Sequence, residues 1–475
     1  MGLFTTRFEM DEKDKSMNRI FERIIVVLAF MQVLSPLITS LFCLIGIKMD
    51  MLNVMLLVMI SYLIVEVLHL SFNLIFIKWK KPTLFQIFAI VMALWLILVA
   101  LVNNAVNFTF IFYLCYMLCF VMFVKIDKKH YKWLMFVFVI ELTICSIMGL
   151  IDPLNNFMPG FSKRYFPMSL QFANSNYASY VTAIAILLCM YIIKNYNKIW
   201  EQIVFWTCFV ILNFTIFVNG CYAGEFAVFI AEFFLILFYW LKNKKCPFKI
   251  IICFAISVAS SFAFVLFPNI WAASSASANF FYESLAIMDN TLGTTFLRDT
   301  SLLFNGKEID KVLGADGYDR GSYITDIWGY VFHSPLTFLF GYGAGKNYEV
   351  LVHNVYLQMF LEIGFVGLAV YLTLIVLFSI SFIKNLKKTD DNKIFLLTIF
   401  FTIVLIIHNF GPLESYSYIY FMMLFAVLYR SLNKEKVEEK SENTAEKESS
   451  KADDVQEPIK ENLIEEGADN GTKEW

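Results

Sequence analysis

Residues 83–103 read TLFQIFAIVMALWLILVALVN, an uninterrupted run without Asp, Glu, Lys or Arg that follows the cationic stretch Lys78-Trp79-Lys80-Lys81-Pro82. The hydrocarbon core of a bilayer is about 30 Å thick and a helix rises about 1.5 Å per residue, so about 20 apolar residues make one crossing. This run is long enough, and the cations at its edge can stay in water. Comparable stretches recur near 24–47, 52–77, 107–124, 133–150, 176–193, 200–218, 222–241, 249–268, 362–383, 394–410 and 416–430. The expectation is an all-α polytopic membrane protein with about twelve transmembrane helices.

Composition points the same way. Of 475 residues, 59% are hydrophobic and 16% charged, 51 are Phe, and the mean hydropathy is +0.64. A water-soluble fold has no interior large enough for that much apolar surface. The 43 residues from Asn433 to Trp475 carry 7 Lys against 14 Asp and Glu, so the net charge of −2 divides into a tail at −7 and a body at +5. No basic domain exists that would bind nucleic acid. The nine cysteines stand mostly inside apolar runs, without C-x-x-C or Cys/His ligand spacing, and read as packing residues rather than metal ligands.

Lys and Arg are retained on the cytoplasmic side of short loops. Alternate loops carry Lys78/Lys80/Lys81, Lys125/Lys128/Lys129/Lys132, Lys194/Lys198, Lys242/Lys244/Lys245/Lys249 and Lys384/Lys387/Lys388/Lys393, with Arg19 and Arg23 before the first span. Both termini are therefore expected in the cytoplasm, and the first apolar run reads as an uncleaved signal anchor. Trp79, Trp133, Trp200, Trp240 and Trp271 fall at span ends, where amphipathic rings sit at the membrane–water boundary.

The expected organisation is a cytoplasmic N-terminus (1–23), nine spans (24–268), a large extracytoplasmic loop (269–350), a His-containing helix with three spans (351–432) and a charged cytoplasmic tail (433–475) too polar to order itself. The two long outer segments, Ile151 to Ser175 and Asn269 to Val350, are where chemistry is expected. In the second, Tyr323, Ile324, Ile327, Trp328, Tyr330 and Val331 follow a helical spacing that Pro335 ends, and Arg320 stands just before it. A guanidinium fork beside free helix N–H groups suits a phosphate or diphosphate; the same residues also fit an Arg paired to Asp319 or Asp326.

Phe340-Gly341-Tyr342-Gly343-Ala344-Gly345 permits a turn with close backbone approach. Val352-His353-Asn354 then enters an apolar stretch containing Glu362, Gly364 and Gly367. A histidine at the wet edge of a membrane helix can exchange a proton near neutral pH. Ionisable residues within spans are costly and are functional or paired: Glu225, one turn inside the outer face, either lines a cavity or bonds to a neighbouring helix, and Glu66 and His69 at i and i+3 suit each other.

His353-Asn354, nine residues, Gly364, two residues and Gly367 resemble the His-Asn/Ser/Gln, x9, Gly-x-x-Gly pattern of the O-antigen ligase and polymerase superfamily. Arg320, Trp328, Ser334-Pro335-Leu336 and Gly341-Tyr342-Gly343 stand in the order of that family's upstream elements, and Asn174-Ser175-Asn176-Tyr177-Ala178 is similar to its Asn-x-Asn-x-x-Ala entry to a span. The likeness covers residues of about 170–385. It implies a bacterial plasma-membrane glycosyltransferase that takes an undecaprenyl-diphosphate-linked glycan, without metal or nucleotide cofactor, beside a flippase and a chain-length regulator.

On that resemblance His353 and Arg320 are the catalytic candidates and Asn354, Gly341 and Gly343 are candidates for substrate binding, to which Glu225 is added by its place near the outer face. Where the family often places Ser-Arg, this chain has Val218-Asn219-Gly220-Cys221, so Arg164 or Arg298 would supply the second cation; Lys163 is a further candidate. The departure favours polymerisation of repeat units for capsule, exopolysaccharide or O-antigen over ligation to another acceptor. Twelve spans with both ends inside is also a layout of secondary transporters, but the Gly-x-x-x-Asp-Arg/Lys loop and long central cytoplasmic loop common to two-halved transporters are missing.

Overall fold

The structure, a computed structural model, describes residues 12–44, 47, 51–76, 84–105, 108–126, 128–151, 175–218, 222–244, 247–266, 327–344, 354–384, 391–408 and 421–426. Every regular element among them is helical. In chain order these are α1 (Glu12–Val33), α2 (Ser35–Leu44), α3 (Met51–Phe76), α4 (Leu84–Val102), α5 (Phe108–Lys125), α6 (Lys128–Ile151), α7 (Ser175–Asn195), α8 (Ile199–Val218), α9 (Tyr222–Asn243) and α10 (Phe248–Leu266). After a short helical turn at 327–331 follow α11 (Pro335–Phe340), α12 (Val355–Lys384), α13 (Asp391–Thr402), a π-helical turn (Ile403–Ile407) and a last helical stretch at 421–426.

Among the described residues, five helical stretches are long and apolar enough to cross a bilayer: His130–Met148, Ala178–Asn195, Ile199–Ile216, Gly224–Lys242 and Val355–Ile380. The described residues are thus all-helical, and the chain is a membrane-embedded protein. The expected spans at 52–77, 83–103, 107–124 and 249–268 fall on α3, α4, α5 and α10, which carry the shorter apolar stretches Asn53–His69, Ile90–Val102, Tyr116–Lys125 and Phe248–Ser261. Most of the expected outer loop and all of the tail lie outside the described residues.

The first expected span is two helices. α1 and α2 meet at a 65° bend, making a sixth span if counted together. Pro36 is the cause: it has no N–H for the carbonyl of Gln32, which accepts instead from Ser35 Oγ at 2.7 Å. The Leu37 N–H turns to Glu141 Oε1 on α6, at 3.0 Å.

The core centres on α7, whose residues from Ala178 to Met190 are all buried. It packs against α6, α8, α9, α10 and α13. Ala178, Ser179, Ala183 and Ala185 let neighbours come close. Gly224 of α9 shows how close, since a Cβ there would lie 2.9 Å from the Ser179 carbonyl oxygen. Large apolar side chains such as Leu94, Leu101, Ile203 and Leu405 point outward, as lipid-facing residues do.

Lysines tie one end of the bundle together. Lys132 on α6 pairs with the buried Glu201 of α8 at 2.6 Å, and lies over the Tyr196 ring at 4.3 Å. Lys242 of α9 pairs with Asp391 of α13, Lys194 of α7 bonds Asn392 at 3.1 Å, and Lys249 of α10 bonds Asn197 and the Ile193 carbonyl, both at 2.9 Å. Glu66 receives Lys125 of α5. His69 instead places its ring 4.8 Å from Phe21. The starts of α7, α9 and α12, and the turn joining α4 to α5, lie toward the opposite end.

Candidate functional site

Asn354 begins α12. Its side-chain Oδ1 accepts the backbone N–H groups of Tyr356 at 2.9 Å and Leu357 at 3.0 Å, the geometry of an N-cap. His353 is the residue immediately before this cap in the chain. His353 itself, with Arg320, Arg164 and Arg298, lies outside the described residues.

Nine residues into α12 the helix breaks at Gly364, where φ is 70° and ψ −178°, a conformation open in practice to glycine alone. A break of this kind takes the preceding carbonyls out of the helical ladder, and each of three successive ones has found another donor. The Leu361 carbonyl accepts Tyr342 N–H at 2.8 Å, Glu362 accepts Gly343 N–H at 2.9 Å, and Ile363 accepts Trp95 Nε1–H of α4 at 2.9 Å. Within a membrane such satisfaction is obligatory, because water is not there to replace it.

The donors come from a turn that the sequence folds by local rules. Ser334 and Thr337 form a reciprocal capping box around Pro335 at the start of α11, and the Gly341 N–H closes it on the Thr337 carbonyl at 2.8 Å. Gly341 (φ 68°) then presses into the break: a Cβ there would lie 2.6 Å from the Glu362 carbonyl carbon. At Gly343 (φ 93°) a Cβ would meet the Ala105 methyl at 2.5 Å. The close approach these two glycines allow is therefore to α12 and to the α4 end. Tyr342 donates its hydroxyl to the Tyr330 carbonyl at 3.0 Å.

Beneath the turn lies a carboxylate. Glu362 is fully buried; Tyr113 of α5 donates its hydroxyl to Oε2, and Gln358 donates Nε2 to Oε1 at 3.2 Å. The Gln358 N–H bonds the Asn354 carbonyl at 2.9 Å. Asn354, Gln358 and Glu362 recur every fourth residue, so they form one polar stripe running from the cap into the membrane. This stripe is the group that residue-by-residue reading missed, although its i, i+4, i+8 spacing was legible.

Glu225 sits elsewhere, in the first turn of α9 beside the α7 contact at Gly224. Its helix meets α12 through the π-helical turn: that turn packs on α9, and its Val404 carbonyl accepts Tyr356 Oη at 2.6 Å. The structure thus joins Gly341, Gly343 and Gly364 in one interlock, about 15 Å of helix along α12 from Asn354, with Glu225 on a neighbouring helix. Compared with known proteins, no family model matches the chain and no curated protein matches its sequence.

Proposed function

We propose that the chain is a membrane glycosyltransferase of the O-antigen polymerase type, which joins undecaprenyl-diphosphate-linked oligosaccharide repeat units on the outer face of a bacterial plasma membrane. Twelve crossings with both termini in the cytoplasm complete the proposal, and the lysines gathered at one end of the bundle support its orientation. The observation that carries the reading is the interlock of Gly341 with Gly364. Two elements of the motif, separate in sequence, are held as one junction on the helix whose cap follows His353.

The chemistry is a displacement at an anomeric carbon. An acceptor hydroxyl oxygen forms the new bond as the bond from carbon to the lipid diphosphate breaks. His353 takes the hydroxyl proton, and Arg320 with Arg164 or Arg298 neutralises the charge that develops on the departing diphosphate. In proteoliposomes supplied with a lipid-linked oligosaccharide, the full chain lengthens the glycan; His353→Ala and Arg320→Ala, present in equal amount, do not. Chain growth by either variant at the normal rate would end this assignment.

One observation favours a second reading, ion-coupled transport. The bend between α1 and α2 buries Gln32 and Glu141, and both polar ends of Gln32 and Oε2 of Glu141 have no hydrogen-bond partner among the described residues. Broken helices with polar groups at mid-membrane serve as ion sites in secondary transporters. Uptake of a labelled solute without consumption of lipid-linked sugar would decide for transport.

A further inference from the structure

The segment 327–344 reads IWGYVFHSPLTFLFGYGA and contains no Asp, Glu, Lys or Arg. It folds as a hairpin of the 327–331 turn and α11, with one side against the first third of α12 through Ile327, Val331, Phe360 and Leu361. Its other side is apolar and open: Trp328, Phe332, Leu336 and Leu339 are exposed, Phe332 and Leu336 at 59% and 58%. Rings run across this side in an unbroken stack, Trp328 on Phe332 at 5.5 Å, Phe332 on Phe338 at 5.5 Å, and Phe338 on Phe365 of α12 at 5.2 Å.

Phe365 is where the stack meets the outward face of α12, which continues through Leu372, Val376 and Ile380, all exposed and all within the stretch that is apolar enough to cross the membrane. The hairpin's open side is therefore a continuation of a lipid-facing surface. Apart from the exposed side chain of His333 at the tip, the polar groups at its turns are bonded inside the protein. Ser334 and Thr337 cap each other, Tyr342 bonds Tyr330, and the Gly341, Tyr342 and Gly343 N–H groups all have carbonyl acceptors. That is the condition hydrocarbon imposes on an irregular segment. A hairpin arm of six residues reaches only about 9 Å, far short of a crossing.

We infer that residues 327–344 form a re-entrant hairpin seated in one leaflet of the bilayer, at the end opposite the lysines, with Trp328, Phe332, Leu336 and Leu339 against lipid acyl chains. The cap at Asn354 then stands at the membrane–water boundary.

The test uses the full chain in phospholipid nanodiscs. p-Benzoylphenylalanine is placed at Phe332 or Leu336, and at Val376 as the lipid-facing reference; after irradiation the labelled peptides are identified by mass spectrometry. Phospholipid adducts at Phe332 and Leu336 with a yield like that at Val376 are expected. Adducts to residues 269–326, to a second copy of the chain, or to no lipid while Val376 gains it, would overturn the inference. On the unsubstituted chain, hydroxyl-radical oxidation of Trp328 and Phe332 should fall to the level of Phe233, an exposed residue on α9. Oxidation as fast as in a free 327–344 peptide would equally overturn it.

Discussion

Gly364→Ala separates two glycines that the sequence pattern treats alike. At Gly364 an added methyl would require a glycine-only backbone conformation, at about 1–3 kcal/mol, and would press within 2.6 Å of the Gly341 nitrogen. Either the turn or the break must move. The bonds from Tyr342 and Gly343 N–H to Leu361 and Glu362 are lost with it, each worth about 0.5–1.5 kcal/mol. A central value of about 4 kcal/mol shifts the docked–undocked equilibrium on the order of 10³-fold. Hydrogen exchange read by mass spectrometry reports this directly, because the Tyr342 and Gly343 amides are the ones released. Gly367→Ala is the comparison: it keeps ordinary helical backbone, its three nearest atoms all belong to the Ile363 side chain at 2.7–3.0 Å, and the propensity gain of about 1 kcal/mol works against that crowding. Unchanged exchange in Gly364→Ala, or equal acceleration in Gly367→Ala, would refute the reasoning.

Further expectations are more local. Glu362→Leu leaves Tyr113 Oη and Gln358 Nε2 without their buried acceptor and should lower thermal stability by about 2–4 kcal/mol, with Glu362→Gln much milder. Asn354→Ala should cost about 1 kcal/mol at the α12 start, seen as faster exchange of the Tyr356 and Leu357 amides, and Asn354→Ser should restore most of it. Lys132→Met strands the buried Glu201 carboxylate; a fully buried break costs about 3–5 kcal/mol, and the 27% exposure of Lys132 reduces the expected loss of unfolding stability to about 2 kcal/mol. Adding Glu201→Gln to that variant should recover most of the loss, since no charge is then left buried.

What the sequence made legible is what local rules control. The apolar runs placed α6 to α9 and α12, because lipid requires a long uncharged stretch. Ser334-Pro335, taken from the sequence only as a helix end, also starts α11, and Asn354 caps α12 ahead of the expected span at 362–383; both caps are a matter of a few adjacent residues. Pro36 inside the first apolar run was a legible break that a hydropathy reading passes over. Long-range pairing was not legible: Glu66 has a neighbour at i+3 in His69, yet its ion pair comes from Lys125 on another helix. The difference between Gly364 and Gly367 likewise depends on which glycine faces the incoming turn.

The central claim is that His353, one residue ahead of Asn354 in the chain, serves glycosyl transfer. The most direct measurement is the length distribution of glycan formed from a purified polyprenyl-diphosphate oligosaccharide by the reconstituted full chain and by His353→Ala. The account predicts long products from the first and unextended donor from the second, with both proteins equally folded by hydrogen exchange. Identical ladders from the two, or donor left intact by the unsubstituted chain, would contradict it.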